Sequence, residues 1–120
     1  MLNKASFKNF FLILFVTYYV TRYTCSMIVS FKHKGLERFF RKGDSSKLNQ
    51  AHLPKIRKIL AQLNTAQQVK DVDVPRWDLH PLKGNLKDHW SVKVNGNYRI
   101  TFIFIEEKVE VLDINYLDYH

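Results

Sequence analysis

The feature that most constrains the fold is a pair of alternating segments joined by Asn95-Gly96. Apolar residues recur at every second position in residues 90–94 and 98–104, and polar residues such as Lys93 and Arg99 lie between them. This alternation is typical of half-buried β-strands, and Asn-Gly between two strands is a strong hairpin signal. The chain is therefore expected to contain an antiparallel sheet with one apolar and one polar face.

The register of this hairpin decides which residues share a face. A two-residue loop would put Arg99 on the same face as Val92. A three-residue loop, 95–97, instead places Lys93 beside Arg99 and keeps the Val92 face apolar. We predict the second register, with Asn97 in the left-handed conformation that such a loop often needs.

Two segments before the hairpin have helical periodicity. Residues 34–42 carry apolar side chains at spacings of three and four with charged residues between them. A second helix is expected to begin near Pro54, because proline suits a first helical turn. Both segments are predicted to be amphipathic helices, and the apolar stripe of the second consists of Ile56, Ile59, Leu60 and Leu63.

Three further segments are expected to be strands. Residues 27–31 are rich in β-branched residues, and residues 77–80 form a short segment that ends before Pro81. Residues 109–114 are expected to form the last strand. The fold class predicted from this order is α+β. Two N-terminal helices pack on one face of a mainly antiparallel sheet of four to five strands, and the other face is left polar and basic.

The charge balance points to a polyanionic partner. The 120 residues include 19 Lys and Arg against 11 Asp and Glu, a net charge of +8, and nucleic acid is the first candidate for a small basic domain. One cysteine excludes an internal disulfide and a Cys-rich zinc site. The five histidines are scattered, and no motif for a metal or a nucleotide cofactor is recognisable. We therefore expect neither a metal nor a cofactor.

Residues 1–26 differ from the rest of the chain. They contain three basic residues, no acidic residue and an apolar run over residues 10–20, which is shorter than the roughly 20 residues that span a bilayer. One interpretation is a weak signal-like segment for export or membrane tethering. We prefer to interpret Met27 as the natural start, which gives an N-terminal extension, 1–26, and one domain, 27–120. That domain has no cysteine, which fits a cytoplasmic location without membrane contact.

Six residues could form a reactive patch on the polar face. They end strands, follow a strand, or close the chain: His80, Lys83, Arg99, Asp118, Tyr119 and His120. Two imidazoles, a carboxylate, a phenol and two cations are the inventory needed to cleave RNA without a metal. A base takes the proton of the ribose 2′-OH, an acid protonates the 5′-oxygen, and cations stabilise the phosphorane. The alternative without a function is that His80 and Arg99 are ordinary solvated surface residues and that the C-terminus frays.

Three motifs resemble the HigB-type toxins of the RelE superfamily, from bacterial type II toxin–antitoxin pairs. They are IVSFKHKGL at residues 28–36, LHPLKG at 79–84, and NYRITF at 97–102 leading to the terminal DYH. The resemblance spans residues 27–120. It implies a RelE-like fold and a ribosome-dependent mRNA endonuclease that inhibits translation. It also implies a helix-turn-helix antitoxin as partner, with operator DNA bound only through that antitoxin.

The resemblance also implies that the six residues of the patch form the active site. Asp118 or His80 would assist deprotonation of the 2′-OH, and His120 or His80 would donate the proton. Lys83 and Arg99 would hold the scissile phosphate, while Tyr119 would stack on or orient a base. The rival hypothesis is a toxin of the same superfamily that is not catalytic, either directed at DNA gyrase or only able to bind its antitoxin.

Overall fold

The computed structural model describes residues 27–119, so the extension 1–26 and His120 lie outside the described residues. Within this part of the chain, no helix is long and apolar enough to cross a membrane. Short 3₁₀ turns at Gln50–His52, Val69–Val72 and Gly84–Leu86 connect the main elements. These elements are β1 (Met27–Ile28), α1 (Lys34–Lys42), α2 (Leu53–Leu63), β2 (His80–Pro81), β3 (Trp90–Asn95), β4 (Tyr98–Ile105) and β5 (Glu110–Asp118).

The five strands form one sheet in the order β1-β5-β4-β3-β2. β1 pairs with β5 in parallel, and the other neighbouring strands are antiparallel. The apolar stripes of both helices belong to the same buried cluster as the apolar residues of the sheet, among them Ile59, Ile100 and Phe102. The predicted α+β fold, with two helices on one face of a mainly antiparallel sheet, is confirmed.

Capping residues fix the limits of α1. The Nδ1 atom of His33 accepts the backbone N–H of Leu36 at 3.0 Å, and this bond satisfies a donor that the first turn leaves free. At the other end Gly43 adopts a φ of 76°, and its N–H donates to the carbonyl of Phe39. A left-handed residue after the last turn is normally glycine, because it has no Cβ to clash. α1 therefore begins and ends at local signals in the sequence.

The His33 cap predicts a pH dependence of stability. Burial lowers the pKa of His33 below its usual 6.5, so the unfolded chain takes up this proton at a higher pH than the folded chain. The stabilisation from His33 is complete above about pH 6.5 and is lost as the pH falls towards the folded-state value. A side-chain N-cap contributes about 1 kcal/mol.

Urea unfolding between pH 7.5 and pH 5 measures this effect. His33→Asn is the matched control, because asparagine caps a helix and does not titrate in this range. The variant is expected to lose less unfolding free energy on acidification than the wild type. An identical loss in both proteins would show that His33 is not the group responsible.

The hairpin register is as predicted, with Trp90 opposite Phe102 and Lys93 opposite Arg99. The loop that produces it is different. The turn occupies Gly96 and Asn97, and the register shifts between Lys93 and Asn95. The left-handed residue is Gly96, with φ 55°, rather than Asn97. A tight turn combined with a bulge has the same effect on register as a longer loop.

Three predicted strand limits are wrong. The strand predicted over residues 27–31 ends at Ile28, and Phe31 makes only an isolated bridge with Ile114. In the segment predicted as a strand over residues 77–80, the strand begins only at His80. Arg76 and Asp78 have positive φ values of 74° and 53°, which interrupt the extended backbone, and Trp77 between them is buried. The strand also includes Pro81, which an edge strand tolerates because its missing N–H would face outward. The last strand continues from Glu110 to Asp118 rather than ending at 114.

Candidate active site

The face of the sheet opposite the helices carries a row of polar residues. His80 lies opposite Ser91, Ser91 opposite Thr101, and Thr101 opposite Asn115. Directly opposed residues of an antiparallel pair project from the same face, so His80 belongs to this face. Ser91 and Thr101 are buried within it. Towards the other end the same face becomes partly apolar at Ile103.

Arg99 stands beside this row and is held by two contacts. One terminal nitrogen donates to the Asp78 carboxylate at 2.9 Å, and the other donates to Ser91 Oγ at 3.3 Å. The Arg99 side chain is 18% exposed, so its guanidinium is largely fixed in place. These contacts use two of the five N–H donors of a guanidinium. Among residues 27–119 the other three donors have no hydrogen-bond partner, which suits them to bind an incoming anion.

Asp78 is the site residue that sequence reasoning missed. It binds Arg99 through its side chain and His80 through its backbone, and its φ of 53° turns the chain so that both contacts form. The hydrogen bond from Arg99 is the main reason why the pKa of Asp78 is lowered, so Asp78 serves as a counter-ion rather than as a base at neutral pH. The sequence signal that could have indicated this role was the position of Asp78, an acidic residue two positions before the candidate His80.

The Asp78 carbonyl also fixes the tautomer of His80. The Nδ1 atom of His80 lies 2.9 Å from that carbonyl oxygen. A carbonyl can only accept, so neutral His80 carries its proton on Nδ1 and has a free lone pair on Nε2. The side chain is 41% exposed. His80 therefore offers Nε2 as a base when neutral and as a proton donor when charged.

Two other histidines have structural contacts instead. His33 caps α1, and His52 is buried with its Nδ1 atom 2.7 Å from the Tyr116 hydroxyl. The fourth described histidine, His89, precedes β3, and its Nδ1 atom is buried without a hydrogen-bond partner. Among residues 27–119, His80 is thus the imidazole that lies in the polar row beside Arg99.

Tyr119 lies on the same face as this pair, and Lys83 lies in the loop after His80. Lys83 is exposed in the loop three residues after His80. The N–H of Tyr119 donates to the Asn97 carbonyl at 2.8 Å, so pairing with β4 continues past the end of β5. Leu117 lies opposite Arg99, and strand alternation puts Tyr119 on the same face.

The structure does not bring Asp118 onto this face. Asp118 lies opposite Tyr98, one position away from the Leu117–Arg99 pair, and therefore on the helix-covered side. Its charge contributes to the raised pKa of Tyr116, after burial and the charge of Tyr98. Of the six predicted residues, the structure joins His80 and Arg99 through Asp78 and puts Tyr119 on their face, whereas Asp118 faces away. Lys83 follows His80 in an exposed loop. His120 is outside the described residues.

This arrangement suits a polymeric anion. The exposed groups of the site, among them His80 and Asp78, lie on the strand face that the helices do not cover. A separate cleft of about 420 Å³ lies between the helices and includes Phe39, Arg57 and Leu60 in its lining. An oriented guanidinium next to an imidazole with a free Nε2 can hold a phosphate and exchange a proton with a neighbouring oxygen.

Comparison with known proteins identifies the family. Residues 29–120 match the RelE-like toxins of type II toxin–antitoxin systems of the HigB kind. The chain belongs to the HigB-like toxins. It is 42% identical over 94 residues to the endoribonuclease HigB of Proteus vulgaris, an alignment that covers 78% of this chain and all of that protein. The family that the motifs predicted is thus confirmed. This HigB-like toxin has an antitoxin as its partner.

Solved structures give weaker matches. The toxin–antitoxin complex RelBE2 of Mycobacterium tuberculosis aligns over 80% of this HigB-like toxin and 99% of the matched chain, with 16% identity and a TM-score of 0.43. A conserved protein of Helicobacter pylori aligns over 76% of this chain and 93% of its own, with 13% identity and a TM-score of 0.45.

Proposed function

We propose that this HigB-like toxin cleaves mRNA on the ribosome by attack of a ribose 2′-OH on the adjacent phosphate, without a metal ion. Family membership and the 42% identity to the Proteus vulgaris endoribonuclease support the ribonuclease activity. They favour it over a toxin directed at gyrase or one that only binds its antitoxin. The single observation that carries the proposed chemistry is the joining of Arg99 and His80 through Asp78.

The roles follow from the geometry of this pair. Arg99 holds the scissile phosphate and stabilises the negative charge that grows on it as the 2′-oxygen attacks. His80 exchanges a proton through Nε2, either from the 2′-OH or to the 5′-oxygen that leaves. Lys83 adds a second positive charge from the adjacent loop. Tyr119 supplies a ring on which a base can stack.

Two further groups complete the proposal. His120 is proposed as the partner of His80 in proton transfer, so that one acts as base and the other as acid. Asp118 faces the opposite side of the sheet from Arg99. We therefore propose that Asp118 positions the C-terminal residues and does not itself contact the phosphate at Arg99.

The ends of the RNA products test the chemistry. Attack by the 2′-OH leaves a 2′,3′-cyclic phosphate and a 5′-hydroxyl, whereas hydrolysis by a metal-bound water leaves a 5′-phosphate. We expect 5′-hydroxyl ends on transcripts cleaved with purified ribosomes, and no cleavage of a transcript that carries a 2′-deoxynucleotide at the cut position. Products with 5′-phosphate ends, or cleavage at the deoxynucleotide, would overturn the mechanism.

The biological setting is proposed in the same terms. A helix-turn-helix antitoxin would neutralise the toxin and carry it to operator DNA, and the toxin would act in the cytoplasm. We also propose residues 27–120 as the toxin domain. N-terminal sequencing of the expressed protein is expected to begin at Met27, and peptides from residues 1–22 would contradict this boundary.

A further inference from the structure

A line of lysines continues the candidate site over the edge of the sheet. Lys93 lies directly opposite Arg99 between β3 and β4, so their side chains share the face that the helices do not cover. Lys93 is exposed, and its backbone N–H donates to the Trp77 carbonyl at 2.6 Å. The chain segment that holds Asp78 therefore runs directly beside Lys93.

α2 brings two more lysines to the same edge. The ammonium of Lys55 donates to the carbonyl of Val94 at 3.4 Å and lies 6.0 Å from the centre of the Trp77 ring. Val94 is the residue after Lys93, so Lys55 reaches across from the helical layer to the strand that carries Lys93. Lys58 follows Lys55 by three positions, on the same side of α2, and is exposed.

The positive charges of these lysines repel one another. Partial burial, followed by repulsion from Lys93 and Lys58, lowers the pKa of Lys55. Asp78 is an acidic residue at this edge, and its carboxylate is bound to Arg99. Grouped like charges of this kind raise the energy of the free protein. A polyanion relieves the repulsion when it binds and displaces the counter-ions.

We propose that Lys93, Lys55 and Lys58, here called the lysine track, bind the phosphate backbone of the single-stranded RNA that leads to the scissile phosphate at Arg99. The inference rests on the proposed function and adds the path of the substrate to it. The track starts beside the phosphate-binding guanidinium and consists of long flexible cations. It fits successive phosphates of one strand in a sequence-independent way.

Salt-dependent binding provides the test. The probe is a labelled oligoribonucleotide with 2′-O-methyl groups, which the toxin cannot cleave by 2′-OH attack, and binding is followed by fluorescence anisotropy between 50 and 200 mM salt. Each phosphate contact on a single strand contributes about 0.7 to the slope of log K against log salt. The double variant Lys55→Gln/Lys93→Gln is expected to lower that slope by about 1.4, and the affinity about tenfold or more at 0.1 M salt.

The matched control is Lys34→Gln/Lys42→Gln, which removes two exposed charges from α1. Its slope is expected to stay close to that of the wild type. Because Lys55 also contacts Val94 and Trp77, Lys93→Thr serves as a second variant that keeps a strand-forming residue. It is expected to lower the slope by about 0.7.

The outcomes separate this inference from the proposed function. Equal slopes for the wild type and for both track variants would overturn the lysine track, even if the wild type cleaves mRNA. An unchanged RNA slope with weakened antitoxin binding would also overturn it and assign the lysines to the protein partner. A reduced slope in a toxin that does not cleave mRNA would support the track as an RNA-binding surface and refute the proposed function.

Discussion

Replacing Arg99 with alanine is expected to lower the rate of mRNA cleavage on the ribosome by about 10²- to 10³-fold, the usual cost of removing one group that stabilises transition-state charge. The structure holds the guanidinium between Asp78 and Ser91, so it reaches the phosphate already oriented. Arg99→Lys is expected to lose much of the activity as well, because an ammonium cannot make the forked contact. Growth arrest after induction without antitoxin, with counts of new RNA 5′ ends, measures the effect.

The control for this substitution is Lys108→Ala, in the turn between β4 and β5, which is expected to arrest growth like the wild type. Stability should change little in Arg99→Ala, because an ion pair with an exposed carboxylate adds little to folding. Full killing by both Arg99→Ala and His120→Ala, with thermal unfolding unchanged, would remove the enzymatic interpretation. Intact RNA with accumulating DNA damage would instead favour a gyrase-directed toxin.

His80→Ala is expected to lower cleavage by roughly 10²- to 10⁴-fold, the range typical of a lost general acid or base. The Asp78 carbonyl holds the Nδ1–H of His80, so the loss removes a lone pair that is already directed away from the backbone. Single-turnover cleavage on purified ribosomes measures it. His80→Ala and His120→Ala are each expected to abolish one limb of the pH–rate profile.

Which limb disappears in each variant assigns the base and the acid. His33→Asn is a suitable control, since His33 caps α1 and lies outside the proposed site. It should keep both limbs. Wild-type rates and an unaltered profile for His80→Ala would exclude this imidazole from proton transfer and leave His120 with another partner.

The parts of the fold that the sequence could predict depend on periodicity. Apolar spacing defined both helices, and alternation defined the register that puts Lys93 beside Arg99. Positive φ values at Arg76 and Asp78 were not predictable, because neither residue type is the glycine that normally marks such a turn. The burial of Trp77 offsets the cost of these backbone conformations.

The same limit applies to the site. The motifs identified His80 and Arg99 as candidates, but they did not identify Asp78, which joins them. The side of the sheet on which Asp118 lies depends on a shift of one position along β5, where it pairs with Tyr98 rather than with Arg99. A one-residue difference in pairing reverses every side chain of a strand, and composition carries no information on that.

The strand order also has a practical consequence. Met27 opens the strand at one border of the sheet, and His80 opens the strand at the opposite border. Four steps of about 4.8 Å separate the two strands, or roughly 19 Å. An affinity handle or a surface linker fused ahead of Met27 would thus leave the protein at the side remote from His80, which makes this terminus the better choice for immobilising the toxin in the assays above.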